Sequence, residues 1–241
     1  MKSLKIKKIC VITGSRADYS ILKNVIEKIK MNKKYKLQLI ATGSHLSKKH
    51  GNTISEILYD GFKPNAKIKI LANKSNASDL IRNSSRVLRG YAAAFKNLNP
   101  DLVLILGDRY EIFCAAYAAT IFGIPIAHLH GGEVTQNSYD EFFRHGISKL
   151  SHLHFVSTNQ YKKRVIQLGE SPRNVFNIGA VGLEDIKKYN FFKVKVLEKK
   201  LKLKFMKKSL LITIHPETLN RKKIKKNTEI VLLTLKKLKD T

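Results

Sequence analysis

Cysteine is almost absent from this sequence: Cys10 and Cys114 are the only two in 241 residues. Both fall inside apolar runs, which points to buried thiols rather than a disulfide framework or a cysteine-based metal site. Long hydrophobic runs are missing as well, since no stretch approaches the roughly 20 apolar residues needed to span a bilayer. The basic start, Met1 to Lys8, leads only into the short run Ile9 to Thr13, which Gly14-Ser15-Arg16 breaks at once. That pattern reads as a first strand and not a signal peptide, so a cytoplasmic location and no membrane partner are expected. There is no internal repeat and no low-complexity tract beyond a lysine bias. Neither G-x-G-x-x-G nor G-x-x-x-x-G-K-[ST] occurs, which removes the standard dinucleotide fingerprint and the P-loop.

Acidic residues are scarce: 18 Asp and Glu face 46 Lys and Arg, a formal charge of +28. Only nine of the cations are arginine. A surface built to grip phosphate backbones leans on arginine, whose planar fork matches phosphate geometry. A lysine excess spread over many segments is instead a surface bias that bears on solubility and non-specific association. No specific nucleic-acid partner is expected, and no aromatic-plus-basic reading surface is visible. The bias is uneven, because Lys187 to Thr241 holds 18 Lys and Arg against four acids. That stretch marks a compositional boundary.

What is present is an alternation of short β-branched runs with helical patterns, the mark of βαβ units and a parallel sheet. Strands are expected at 8–13, 37–42, 66–71, 101–106, 126–129, 154–157 and 175–178. Helices are expected at about 18–30, 53–59, 79–98, 112–122, 139–150 and 160–168, with Asp79 as the cap of the third. Residues 187–208 read as an exposed basic helix or linker. The pattern then restarts with a strand at Leu210 to Ile214 and an amphipathic helix at Glu229 to Leu238. The expected organisation is therefore a Rossmann-like doubly wound domain over 1–186, a basic linker over 187–208, and the first βα unit of an incomplete second α/β domain over 209–241. One such unit cannot cover both faces of its own strand, so apolar surface at 210–214 and 232–238 is expected to lie exposed.

In open α/β sheets, ligands sit at the carboxyl ends of the strands. Polar motifs fall there one after another: Gly14-Ser15-Arg16-Ala17-Asp18, Thr42-Gly43-Ser44-His45, Gly107-Asp108-Arg109 and His128-Leu129-His130-Gly131-Gly132-Glu133. Asp140-Glu141-Phe142-Phe143-Arg144-His145 follows, and His215-Pro216-Glu217-Thr218 ends the restarted strand. Each motif alone has a plain structural use. Asp108 taken singly is better explained as a helix cap, Arg16 and Arg144 as surface cations, and His130 as a satisfied histidine. The recurrence of Arg, His, Asp or Glu at five separate strand ends is what argues for a site. Arg16, His45, Arg144 and His145 are donors suited to a diphosphate. Asp108, Glu133, Asp140 and Glu141 are carboxylates of the kind that acid–base work at a sugar carbon requires. Histidines 128, 130, 145, 152 and 154 fit no common zinc spacing, and no metal is expected.

Taken together, Val11 to Tyr19, Ala41 to His45, Gly51 to Thr53, Leu106 to Glu111, His128 to Glu133, Asp140 to His145 and His215 to Thr218 resemble the hydrolysing UDP-N-acetylglucosamine 2-epimerases. The resemblance runs from Lys8 to about Thr218. It implies two Rossmann-like domains in a GT-B-like arrangement around an interdomain cleft, and no cofactor. It implies conversion of UDP-N-acetylglucosamine and water to N-acetylmannosamine and UDP, for sialic or related nonulosonic acids. A 6-deoxy-2,4-diacetamido sugar is the other open substrate. By the resemblance, Asp108 and Asp140 match acid–base carboxylates with Glu133 close by. His130 is either acid–base or substrate-positioning, since many relatives carry Glu there. Arg16 matches a phosphate contact and His215 a second-domain histidine near the diphosphate. Asp18, Arg109, Arg144 and His145 are expected as further substrate-binding residues. Family members continue well past the last residue here. The chain is thus expected to need a complementing C-terminal fragment, with a homodimer as a further possibility and a non-catalytic, weakly nucleotide-sugar-binding remnant as the alternative.

Overall fold

The first strand shows why this sheet has to be parallel and covered on both sides. In the computed structural model, β1 (Lys7–Thr13) is buried from Ile9 onward, with no alternation of wet and dry residues. A strand with that burial needs helices on each face. The structure describes residues 7–48, 51–70, 76–136, 138–184, 186, 190–214 and 224–238. They fall in two compact units, Met1–Val134 with Asp140–Leu183, and Thr135–Tyr139 with Glu184–Thr241.

The first unit holds seven strands. After β1 come β2 (Tyr35–Thr42), β3 (Ala66–Ile68), β4 (Leu102–Leu106), β5 (Ile126–Leu129), β6 (Leu153–Val156) and β7 (Val175–Asn177). Their order is β3-β2-β1-β4-β5-β6-β7, and every pairing is parallel. Chain order reverses between β1 and β4, where Val11 lies opposite Leu104. That reversal opens a crevice at the carboxyl edge, the place where doubly wound sheets take ligands.

The helices are α1 (Arg16–Met31), α2 (Ile54–Tyr59), α3 (Ala77–Leu98), α4 (Tyr110–Ile121), α5 (Tyr139–Leu150) and α6 (Asn159–Gln167). Successive residues of a strand face opposite sides, and the core divides accordingly. Val11, Leu39 and Leu104 pack with Leu22 and Ile26 of α1 and Ile57 of α2. Ile12, Ile40 and Ile105 pack on the other side with Tyr91 and Phe95 of α3 and Ile112 of α4. The α4 segment is buried along most of its length and presents little polar face, which fits a helix wedged between sheet and neighbour.

Two expectations need correction. Asp79 does not cap α3; its backbone N–H donates to the Asn76 side chain at 2.8 Å, and Asn76 is the cap. Residues 210–214 form no strand. They pair with nothing in the ladder, and Leu211 is 99% exposed. A strand exists only by bonding to a neighbour, and the described part of the second unit contains no other strand. That unit shows α7 (Val194–Leu201), which buries none of its residues, and α8 (Ile224–Leu235), which begins before the expected Glu229. Leu210, Ile212, Leu232, Leu233 and Leu238 are exposed, in line with the expectation of uncovered apolar surface. No helix among the described residues is long and apolar enough to cross a membrane.

Gly43 shows how closely the first two strand ends meet. Its φ is +59°, and a Cβ there would lie 2.3 Å from the Gly14 carbonyl oxygen and 2.9 Å from a Glu111 carboxylate oxygen. Gly61 has φ +79° but open space around it. Left-handed backbone alone costs a non-glycine residue about 1–3 kcal/mol. Gly61→Ala should therefore lower Tm by several degrees, at about 2–4 °C per kcal/mol for a chain of this size. Gly43→Ala adds a backbone collision and should lower it at least twice as far in a thermal melt. Equal drops for the two variants would show that the close approach at Gly43 does not exist.

Candidate functional site

Sequence makes Asp108 look like a helix cap, but the structure gives it other work. The cap position of α4 is Arg109, whose side chain makes no capping bond to the helix backbone. Gly107, at φ +83°, ends β4, and the Asp108 carboxylate pairs directly with the Nη2 of Arg144 on α5. The Arg144 side chain is 4% exposed, and its Nη1 donates to Glu141 Oε2 and to the Glu133 carbonyl oxygen, each at 3.0 Å. One guanidinium fork thus fastens the end of β4, the turn after β5 and the first turns of α5. Lysine, a point charge, could not hold three partners in fixed directions.

The network extends outward from there. Glu141 Oε1 lies 3.0 Å from Nε2 of His145, so His145 joins the same cluster. Burial raises the Asp108 pKa, Arg144 opposes that rise, and the negative charge of Asp140 adds to it. Asp140 also acts on Arg109, so its field reaches both sides of the β4 turn. Asp108, Arg109, Asp140, Arg144 and His145 are brought together as the sequence motifs imply.

After β5 the chain turns through His130 at φ +63° and Gly132 at φ +78°. The Nδ1 of His130 lies 3.0 Å from Glu133 Oε1, and Ser157, just past β6, donates to the same oxygen at 3.1 Å. The bond from His130 is the largest of the influences that pull the Glu133 pKa down. Arg164 of α6 donates to the Gly132 carbonyl and clamps the turn.

At the β1–β4 crevice, Asp18 accepts from the Gly14 backbone N–H at 3.2 Å. Arg109 Nε donates to Glu111 Oε1 at 2.6 Å, and that carboxylate, itself fully buried, packs against Gly14. Glu111 is the foremost reason that the Arg109 pKa rises. Burial raises Asp18, against the pull of Ser15 and Arg109. The residue-by-residue reading passed over Glu111 and Ser157. Both follow the carboxyl-edge rule that found the others, Glu111 three residues beyond Asp108 and Ser157 directly after β6.

Arg16 and His45 have other partners. Arg16 pairs with Glu56 of α2 at 3.1 Å, with 71% of its side chain exposed. His45 has no ring nitrogen left to offer a phosphate. It is fully buried, with Nε2 2.9 Å from Thr13 Oγ1 and Nδ1 2.8 Å from Thr53 Oγ1, and burial holds its pKa down at about 4. A neutral ring with both nitrogens engaged is a strut between β1 and the start of α2. His215 lies outside the described residues. His128 is a second strut: it is fully buried, 2.8 Å from the Gly107 carbonyl oxygen, and pushed down to about 3 by burial. Among the described residues, no group of three His, Cys, Asp or Glu side chains could hold a metal.

The two struts set an acid limit on the fold. An unfolded histidine takes its proton near pH 6.5, whereas His45 in the fold resists it down to about pH 4. Between those values the unfolded state binds more protons, so stability falls as pH falls. His45 alone should remove about 3 kcal/mol across that window. Urea midpoints measured at pH 7, 5.5 and 4.5 should drop in sequence, and a flat profile would mean that His45 is charged or solvated.

Known proteins carry the same pattern. Residues 27–241 match the family described as UDP-N-acetylglucosamine 2-epimerase. The chain is 44% identical over 234 residues to the GDP/UDP-N,N'-diacetylbacillosamine 2-epimerase (hydrolyzing) of Campylobacter jejuni, covering 97% of this chain and 61% of that one. It is 38% identical over 211 residues to the UDP-N,N'-diacetylbacillosamine 2-epimerase (hydrolyzing) of Legionella pneumophila, covering 88% of this chain and 56% of that one. The chain therefore spans roughly 56% to 61% of the length of these curated relatives. The solved UDP-N-acetylglucosamine 2-epimerase from Rickettsia bellii shares the fold, with a TM-score of 0.73 at 22% identity over 95% of this chain and 60% of that one. Motifs, sheet order and sequence identity agree, and the chain belongs to the UDP-N-acetylglucosamine 2-epimerase family.

Proposed function

We propose that this chain carries the acid–base side of a hydrolysing UDP-sugar 2-epimerase. The observation that supports it most is the gathering of Asp108, Asp140, Glu141 and Arg144 at the end of β4, beside the crevice where the strand order reverses. In the reaction a base removes the proton on C2 of the sugar. The C–H electron pair becomes a C1=C2 double bond while the C1–O bond breaks, and UDP leaves with that bonding pair. Water then adds across the double bond, its hydroxyl to C1 and a proton to C2 on the opposite face. The product is the C2-inverted 2-acetamido sugar, and no cofactor takes part.

The residues divide the work by charge. Burial raises the Asp108 pKa while the adjacent guanidinium favours its charged form, so its carboxylate is placed to exchange a proton with the sugar. Arg109, fixed by Glu111, offers a cation beside the first turn, where a diphosphate would meet the N-terminus of α1. Arg16 reaches that phosphate by exchanging Glu56 for it. Of the two sugars left open by the sequence, the names of the Campylobacter and Legionella relatives favour the 2,4-diacetamido one over N-acetylglucosamine. In this reading the protein acts in the cytoplasm, as a homodimer or with a complementing C-terminal fragment.

The test is UDP release from UDP-N,N'-diacetylbacillosamine and from UDP-N-acetylglucosamine, each with the chain alone and with the C-terminal part of the Campylobacter relative added. Turnover should be faster with the diacetamido sugar, and Asp108→Asn should slow it by about 10²-fold or more. Saturable UDP binding with no turnover in any mixture would replace the enzyme by a nucleotide-sugar-binding remnant.

A further inference from the structure

His130 occupies a backbone conformation that few residues other than glycine adopt. At φ +63° it is in the left-handed region, although it is not glycine, and the chain holds it there from several sides. Its backbone N–H donates to the Phe155 carbonyl oxygen at 2.9 Å, and Arg164 grips the carbonyl of Gly132 two residues on. Strain kept in place by surrounding bonds marks positions where the side chain has to point in one direction. Here that direction brings Nδ1 to 3.0 Å from Glu133 Oε1 and leaves Nε2 out of solvent with no partner among the described residues. A buried polar atom without a partner is rare enough to call for an explanation.

Building on the 2-epimerase reading, we propose that His130 and Glu133 act as one unit, in which Glu133 positions the ring through Nδ1 and His130 Nε2 is the atom that takes the C2 proton of the sugar. Glu133 is the positioning residue and Ser157 fixes it in turn, donating to the oxygen that faces the ring. The chemistry follows from the inventory of donors. An ionised carboxylate only accepts, so Nδ1 must carry the hydrogen, and a neutral ring protonated there has its lone pair on Nε2. The lowered pKa of Glu133 keeps it ionised and so keeps that tautomer. When Nε2 takes the proton, the C–H pair forms the C1=C2 bond, UDP departs with the C1–O pair, and the imidazolium is balanced by Glu133. Glu133 itself never touches the sugar. This differs from counting Glu133 among the groups that exchange protons with substrate.

The experiment has two arms on the full chain, which separate this unit from the reaction it serves. Side-chain ¹⁵N spectra of the labelled protein should show His130 with a protonated Nδ1 and an unprotonated Nε2. Glu133→Gln should lose that preference, because an amide can donate as well as accept, while Glu133→Asp should keep much of it. A wild-type ring protonated at Nε2 would overturn the proposal. In the kinetic arm, run under whichever mixture turns over, Glu133→Gln and His130→Gln should each lower kcat by about 10²-fold with little change in KM, and the double variant should fall no further. Glu133→Asp should recover part of the rate. Losses that multiply in the double variant, or that appear in KM, would make Glu133 an independent or merely structural group and refute the unit. If the tautomer is as stated but no mixture releases UDP, the 2-epimerase reading fails and the positioning of His130 by Glu133 stands.

Discussion

A single buried guanidinium sets the terms for the rest of this site. Arg144 is removed from water, and a charge in that position is tolerated only with partners in good geometry. The chain supplies Asp108, Glu141 and the Glu133 carbonyl, one from each of three neighbouring segments. The need to neutralise Arg144 therefore gathers groups that sequence separation would keep apart. Removing it would leave Asp108 and Glu141 without the cation that joins them, two acids crowded at one strand end with Asp140 close by. The pair also explains the balance at Asp108, where burial raises the pKa and Arg144 limits how far.

The sheet decides where this cluster opens. With β1 and β4 adjacent and chain order reversing between them, the turns after both strands border one crevice. Glu111 works beneath it much as Arg144 works beside it: a fully buried carboxylate that can be tolerated because Arg109 lies 2.6 Å away. Gly14 and Gly43 leave the room that Glu111 occupies. Around this frame the histidines divide by burial. His45 and His128 are kept neutral and used as struts, whereas His130 is strained into place with one nitrogen uncommitted.

Most of the fold was legible in the sequence because parallel strands buried on both faces leave continuous apolar runs. Ile9 to Thr13 and Leu102 to Leu106 could hardly be anything else. The carboxyl-edge motifs were legible for the same reason, since each closes such a run. Side-chain partners were not. Nothing local tells that Asp108 turns to an arginine 36 residues away instead of capping α4, or that His45 is enclosed by Thr13 and Thr53. Those choices depend on tertiary packing. The strand expected at 210–214 failed for a related reason: its β-branched composition is a preference, but a strand needs a neighbour, and the described part of its unit offers none.

The proposed function requires the turns after β1, β4 and β5 to surround one UDP-sugar. Backbone amide NMR of the full chain during titration with UDP-N,N'-diacetylbacillosamine addresses it most directly. Saturable shifts should appear together at Gly14 to Asp18, Gly107 to Arg109 and Gly131 to Glu133, following a single binding curve. Shifts confined to one of these turns, or centred on residues away from the carboxyl edge of the sheet, would contradict it.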